Sequence, residues 1–137
     1  MQEYVLGFLF NKQGNMVWLI RKNKPQWQAG KLNGIGGKVE ENEKPHVAMR
    51  REFKEEAGLD IEDWKFYGTM NDKDHTFIVY CYYAYSDEMA TTMTEESVGV
   101  YSSEFLPLNV IPNLRWLIPM ALSFKDDKNA TNFAFLY

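Results

Sequence analysis

The chain has 137 residues, 45% apolar and 25% charged, with a net charge of −4. That length suits one domain over residues 1–137 with a core of its own. The acidic balance argues against a surface built on nucleic-acid backbones, which needs a basic stripe, and no apolar run is long enough to span a membrane.

EYVLGFLF (3–10) is rich in β-branched and aromatic residues and predicts a buried strand. The opening MQEYVLGFLF lacks the basic start and small-residue cleavage site of an export signal, which fits a cytoplasmic, reducing setting. NKQGN (11–15) is a turn, and MVWLIRK (16–22) returns as the second strand of a hairpin. A long loop follows over 23–37, with a short strand near its end. Loops of that length in compact domains are usually functional or mobile. Residues 44–57 predict a helix, with Pro45 in its first turn and Gly58 at the left-handed cap.

DWKFYGTM (63–70) and HTFIVYCYYAY (75–85) predict two more strands, the second carrying the lone cysteine, Cys81, as a small core residue. A single cysteine excludes an internal disulfide. Residues 86–97 are polar and loop-like, and VGVYSS (98–103) reads as a short strand. NLRWLIPMALSF (113–124) has helical spacing, which Pro119 opposes. NAT at Asn129 has the form of a glycosylation acceptor, without consequence in the absence of export. TNFAFLY (131–137) alternates and predicts a final edge strand. The order of elements points to an α/β (α+β) domain, a mixed sheet with helices on its faces.

The first helix ends on Glu52, Glu55 and Glu56, just before Gly58. At about 100° per residue these side chains share an arc of roughly 100°. Like charges at that spacing repel, and the C-terminal end of a helix favours cations. One reading is a solvated acidic face balanced by Arg50, Arg51 and Lys54. The other is a cation site, with Gly36 and Gly37 ahead of the helix allowing a backbone carbonyl to approach. Oxygen-only ligands suit Mg²⁺ or Mn²⁺. His46 and His75 lack metal-ligand spacing.

These residues resemble a known family. Gly37, five residues, Glu43, seven residues and then REFKEEAGL reproduce the Nudix box over 23 positions, 37–59. The resemblance implies the Nudix fold, a mixed β-sheet sandwiched between helices in an α/β/α arrangement. It implies Mg²⁺-dependent hydrolysis, with Mn²⁺ as a substitute, of a nucleoside diphosphate linked to another group. By position, Glu52, Glu55, Glu56 and the Gly37 carbonyl are implied metal ligands. Arg51 would orient the glutamates and Glu43 would fix the loop to the helix, while Phe53 and Leu59 fall in the core. The general base varies in the family between Glu52 and a glutamate outside the box.

More weakly, AGKLNGIGGKVEENE resembles the MutT type of oxidised-purine nucleoside triphosphatase. The resemblance implies Asn33 as a reader of the base edge. It places Glu96, with Glu95 as the other candidate, as the late catalytic and metal-binding glutamate. Asn113 falls in the base-contacting segment, and Trp27 is a candidate stacking platform. Asn33 also suits a turn, Asn113 a helix N-cap, and Trp27 a core cover. Leu32 and Ile111 stand where that type has Trp, so an aromatic wall is missing at both positions.

The expected reaction takes a nucleoside triphosphate, ordinary or oxidised, to a monophosphate and pyrophosphate. Alternatives are hydrolysis of ADP-ribose, an NAD-type dinucleotide or a dinucleoside polyphosphate, or a non-catalytic nucleotide-sensing module. The expected partner is a small nucleotide, not a membrane or a nucleic acid, bound by a monomer or homodimer.

Overall fold

The computed structural model describes residues 1–125 and 133–136. Asn129 lies outside them. Eight strands and two helices follow in chain order: β1 (Gln2–Phe10), β2 (Met16–Arg21), β3 (Leu32–Asn33), β4 (Ile35–Lys38), α1 (Pro45–Ala57), β5 (Lys65–Asn71), β6 (Phe77–Tyr85), β7 (Val98–Ser102), α2 (Leu114–Ser123) and β8 (Phe133–Leu136). The expected single short strand before residue 37 is two, β3 and β4, which follow a 3-10 turn at Gln26–Gln28. No helix among the described residues is long and apolar enough to cross a membrane.

The sheet order is β3-β2-β1-β6-β5-β8, with β4 also on β1 and β7 also on β2. β1 is the axis. It runs parallel to β6 from Gln2↔Phe77 to Phe10↔Tyr85 and antiparallel to β4 from Tyr4↔Lys38 to Gly7↔Ile35. β8 is the edge strand its alternation predicts, and it pairs in parallel with β5.

Successive strand residues point to opposite faces, so a strand apolar throughout supplies two cores at once. Leu6, Phe8 and Phe10 of β1, with Val17 and Leu19 of β2, meet Leu114, Leu117, Ile118 and Ala121 of α2. Val5 and Leu9, with Trp18 and Ile20, meet Ala48, Met49, Phe53 and Ala57 of α1. The result is the expected α/β/α sandwich, one helix on each face. Gly7 makes room for α1: a Cβ there would sit 2.5 Å from Met49 Cε.

α1 begins with Pro at its first position and ends on Gly58, left-handed at φ 77°, whose N–H donates to the Lys54 carbonyl. Both end signals therefore act as the sequence suggests. α2 runs through Pro119. Pro119 and Arg115, four residues before it, are both exposed, so the carbonyl that loses its partner faces water. Cys81 is buried, and burial pushes its thiol up to about 12.

Candidate active site

The loop and α1 are joined through Arg51. Its Nε and Nη2 donate to the two Glu43 oxygens at 2.7 and 2.9 Å, a bidentate fork. Nη2 also donates to the Lys38 carbonyl at 3.0 Å. Nη1 donates to Glu52 Oε1 at 2.9 Å and Glu55 Oε2 at 3.2 Å. One guanidinium thus ties the end of β4, the following loop and two of the three glutamates together. The hydrogen bonds from Arg51 hold the Glu43 carboxyl below its ordinary range. Arg50 turns the other way, to Asp60 and Glu62, and does not serve the cluster.

The three glutamates occupy different surroundings. Glu55 is 56% exposed beside Arg51. Glu52 is half-buried under the loop, where a Cβ added to Gly37 would lie 2.5 Å from its carboxyl carbon. Burial raises its pKa, and Arg51 only partly offsets that. Glu56 faces the cleft, and its Oε2 is buried with no hydrogen-bond partner among the described residues. Burial, reinforced by the charge of Glu52, pushes Glu56 up to about 7.

Glu96 arrives from the loop before β7. Its Oε1 accepts from Lys22 Nζ at 2.9 Å and its Oε2 from the Asn23 N–H at 2.6 Å. Burial would raise Glu96, but these bonds outweigh it and hold the carboxyl below its ordinary range. Glu56 feels the charges of Lys22 and Glu96, so the tertiary fold brings a residue forty positions away to the end of α1. Glu95 contributes only its carbonyl, which accepts from Asn23 Nδ2.

The carboxylates are not drawn to one point. Among the described residues no three His, Cys, Asp or Glu groups stand close enough to hold an ion as they are placed. Glu52 and Glu55 are turned to Arg51 and Glu96 to Lys22, the nearest positive charges. Two observations nonetheless suit a divalent cation. A buried carboxylate oxygen without a partner costs free energy until a cation or donor meets it. The Glu52 carboxylate also fills the space a Cβ on Gly37 would take, so the glycine leaves room for a hard oxygen donor of the kind such ions take.

From Glu56 a cleft of about 860 Å³ runs between the sheet and the start of α2. Its lining combines Glu56, Lys22 and Gly37 with Asn33, Gln28, Trp27, Phe77, Met70, Asn113 and Trp116. Leu32 does not line it, being 1% exposed in the core. Ile111 does, and aromatic side chains reach the cleft from other elements, Phe77 and Trp116 among them. A pairing across the chain sets this edge: Leu32 N–H donates to the Asn109 carbonyl and Ile111 N–H to the Leu32 carbonyl. It carries the residues before α2 to the side of Asn33.

Trp27 is 63% exposed at the cleft and covers no core. Asn113 stands at the N-cap of α2 but makes no side-chain cap bond there. Asn33 accepts from the Gly34 N–H and donates to Gln28, so its turn role and its place in the cleft coexist. Lys22, Gln28, Phe77 and Trp116 escape a sequence reading, because a strand-end lysine, a loop glutamine and core-type aromatics carry no signal of the cleft they share.

Comparison with known proteins agrees with this fold. The NUDIX domain family model matches residues 2–126. An RNA pyrophosphohydrolase of Hydrogenovibrio crunogenus is 38% identical over 64 residues, 47% of this chain; the match spans 36% of that protein, about a third of its length. The structure of a MutT NUDIX hydrolase from Burkholderia pseudomallei superposes with a TM-score of 0.74 at 18% identity, covering 87% of this chain and 96% of that one. The NUDIX domain of Shewanella oneidensis NrtR, in complex with ADP ribose, gives 0.75 at 18% identity, over 88% and 86% of the two chains.

Proposed function

The chain belongs to the NUDIX family, and on that footing we propose that it is a divalent-cation-dependent pyrophosphohydrolase acting on a nucleoside diphosphate linked to a further group. The substrate we favour is a nucleoside triphosphate, ordinary or oxidised, cleaved to a monophosphate and pyrophosphate. The observation that carries this reading is the make-up of one cleft. Its lining joins a carboxylate oxygen that is buried and, among the described residues, unpaired to amide and aromatic side chains. A phosphate chain calls for the first and a base for the second.

In this reading Glu52, Glu55, Glu56, Glu96 and the Gly37 carbonyl hold the cation. A bound Mg²⁺ or Mn²⁺ supplies charge neutralisation at phosphate oxygens and a more acidic water. Arg51 fixes the carboxylate face of α1 by its bonds to Glu52 and Glu55. Lys22 adds a positive charge to the cleft lining. Glu52 and Glu96 are the two candidate bases, the first bonded to Arg51 and the second to Lys22. Trp27, Asn33 and Asn113 hold the base, and the apolar walls exclude water around it.

The test is a substrate panel with Mg²⁺ and product separation. It contains canonical and oxidised nucleoside triphosphates, ADP-ribose, NAD, dinucleoside polyphosphates and a 5′-triphosphorylated RNA. Monophosphate plus pyrophosphate from a triphosphate supports the proposal. No turnover of any triphosphate ends it. A second reading, ADP-ribose or a dinucleotide, is favoured by the size of the cleft, which exceeds what one base requires. Tight nucleotide binding without hydrolysis of any panel member would make the chain a sensor.

A further inference from the structure

Gln28 belongs to the 3-10 turn beside Trp27 and lines the cleft half-buried. Its amide ends a hydrogen-bond chain whose direction is set by the backbone. The Gly34 N–H can only donate, and it donates to Asn33 Oδ1 at 2.8 Å. The Asn33 amide is thereby oriented, and its Nδ2 donates to Gln28 Oε1 at 3.0 Å. Turning the Gln28 amide over would set two N–H groups against each other. The orientation of both amides therefore follows from one backbone donor rather than from a choice between look-alike atoms.

The consequence is a polar edge of fixed sign. Gln28 Oε1 is committed to Asn33, and among the described residues Gln28 Nε2 donates to no protein group. Its two N–H donors remain for a ligand, with one more on Asn33 Nδ2. We propose that Gln28 is a specificity-determining binding residue, and that with Asn33 it selects a base edge bearing a carbonyl oxygen over one bearing an amino group. The ligand class is a 6-oxopurine or 4-oxopyrimidine nucleotide. This rests on the nucleotide reading above and goes beyond it by naming the base edge. An amino group offered to this edge meets donor with donor and leaves buried groups unpaired, which is how polar sites reject analogues.

The test uses matched pairs that differ at this position, ITP against ATP and UTP against CTP, with Mg²⁺, in the wild type, Gln28→Leu and Gln28→Glu. The wild type should favour the oxo member by about tenfold or more in kcat/KM. Gln28→Leu should bring both ratios towards one, chiefly through KM. Gln28→Glu keeps the acceptor for Asn33 but replaces the donors, and should shift preference towards the amino member. A wild-type ratio near one, or ratios unchanged in both variants, overturns the proposal while hydrolysis of the nucleotides stands. If none of the four is hydrolysed, the wider panel above still decides the reaction. Calorimetric binding of ITP and ATP to wild type and Gln28→Glu then decides the role of Gln28, and no binding of either overturns it.

Discussion

At the scale of single residues, Glu56 and Glu43 are opposite cases on the same helix and loop. Glu56 has a buried oxygen without a partner, so its charge is a cost to the metal-free fold. Glu56→Gln should raise the thermal midpoint of chelator-treated protein at pH 8, by the equivalent of about 1–3 kcal/mol. It should also blunt the gain that Mg²⁺ gives the wild type and lower turnover by orders of magnitude. Calorimetric scans with and without Mg²⁺ read the first two effects. Glu43 has the reverse sign. Its folded pKa lies below the ordinary value of 4.5, because Arg51 bonds its charged form. Its stabilisation is therefore present above about pH 4.5 and is lost as pH falls through the lower folded value. Urea midpoints between pH 3 and 7 should show wild type losing more stability on acidification than Glu43→Gln.

At the scale of elements, β4 meets β1 and α1 through two adjacent glycines that fail differently. A Cβ on Gly36 would lie 1.9 Å from the Val5 carbonyl oxygen of the neighbouring strand, and backbone cannot step aside. A Cβ on Gly37 would meet the Glu52 carboxylate, the movable end of a side chain. Gly36→Ala should therefore cost about 3 kcal/mol or more, or prevent folding. Gly37→Ala should fold with a small loss of stability and lose most of its turnover, because Glu52 is displaced. Denaturation curves and activity of the two variants side by side separate the outcomes. The paired acidic and basic groups of α1 follow the same logic. The helix tolerates carboxylates at its C-terminal end because Arg51, one turn back, takes up two of them.

At the scale of the whole molecule, one sheet serves two cores, so neither helix can be lost without exposing a face of β1 and β2. Phe53 of α1 and Phe8 of β1, on the α2 face, are both fully buried. Phe53→Ala and Phe8→Ala should each cost about 3–5 kcal/mol. If residues 1–137 form one domain, each variant should still unfold in a single transition seen alike by tryptophan fluorescence and far-ultraviolet circular dichroism. Two separated transitions would show the faces to be independent units.

Much of this was readable along the chain because the deciding forces are local. Pro45 and Gly58 mark the ends of α1, apolar runs mark β1, β2 and β6, and the fixed spacing from Gly37 to Leu59 carries the family. The terminal strand was legible too, although its parallel pairing with β5 was not. Pro119 weakened the signal of α2, yet that helix forms because four apolar side chains on one face outweigh one missing bond on the wet face. Spacing alone determined which residues could form a carboxylate face. Only the tertiary structure decided that Lys22 and Glu96 come beside Glu56, and that Leu32 is core. It alone decided that Phe77, Trp116 and Gln28 line the cleft with Asn33 and Trp27. The reason is physical: helix periodicity and end signals act over a few residues. The cleft is made where β1, β4, β6 and the segment before α2 meet, and those pairings are set by burial of the whole sheet.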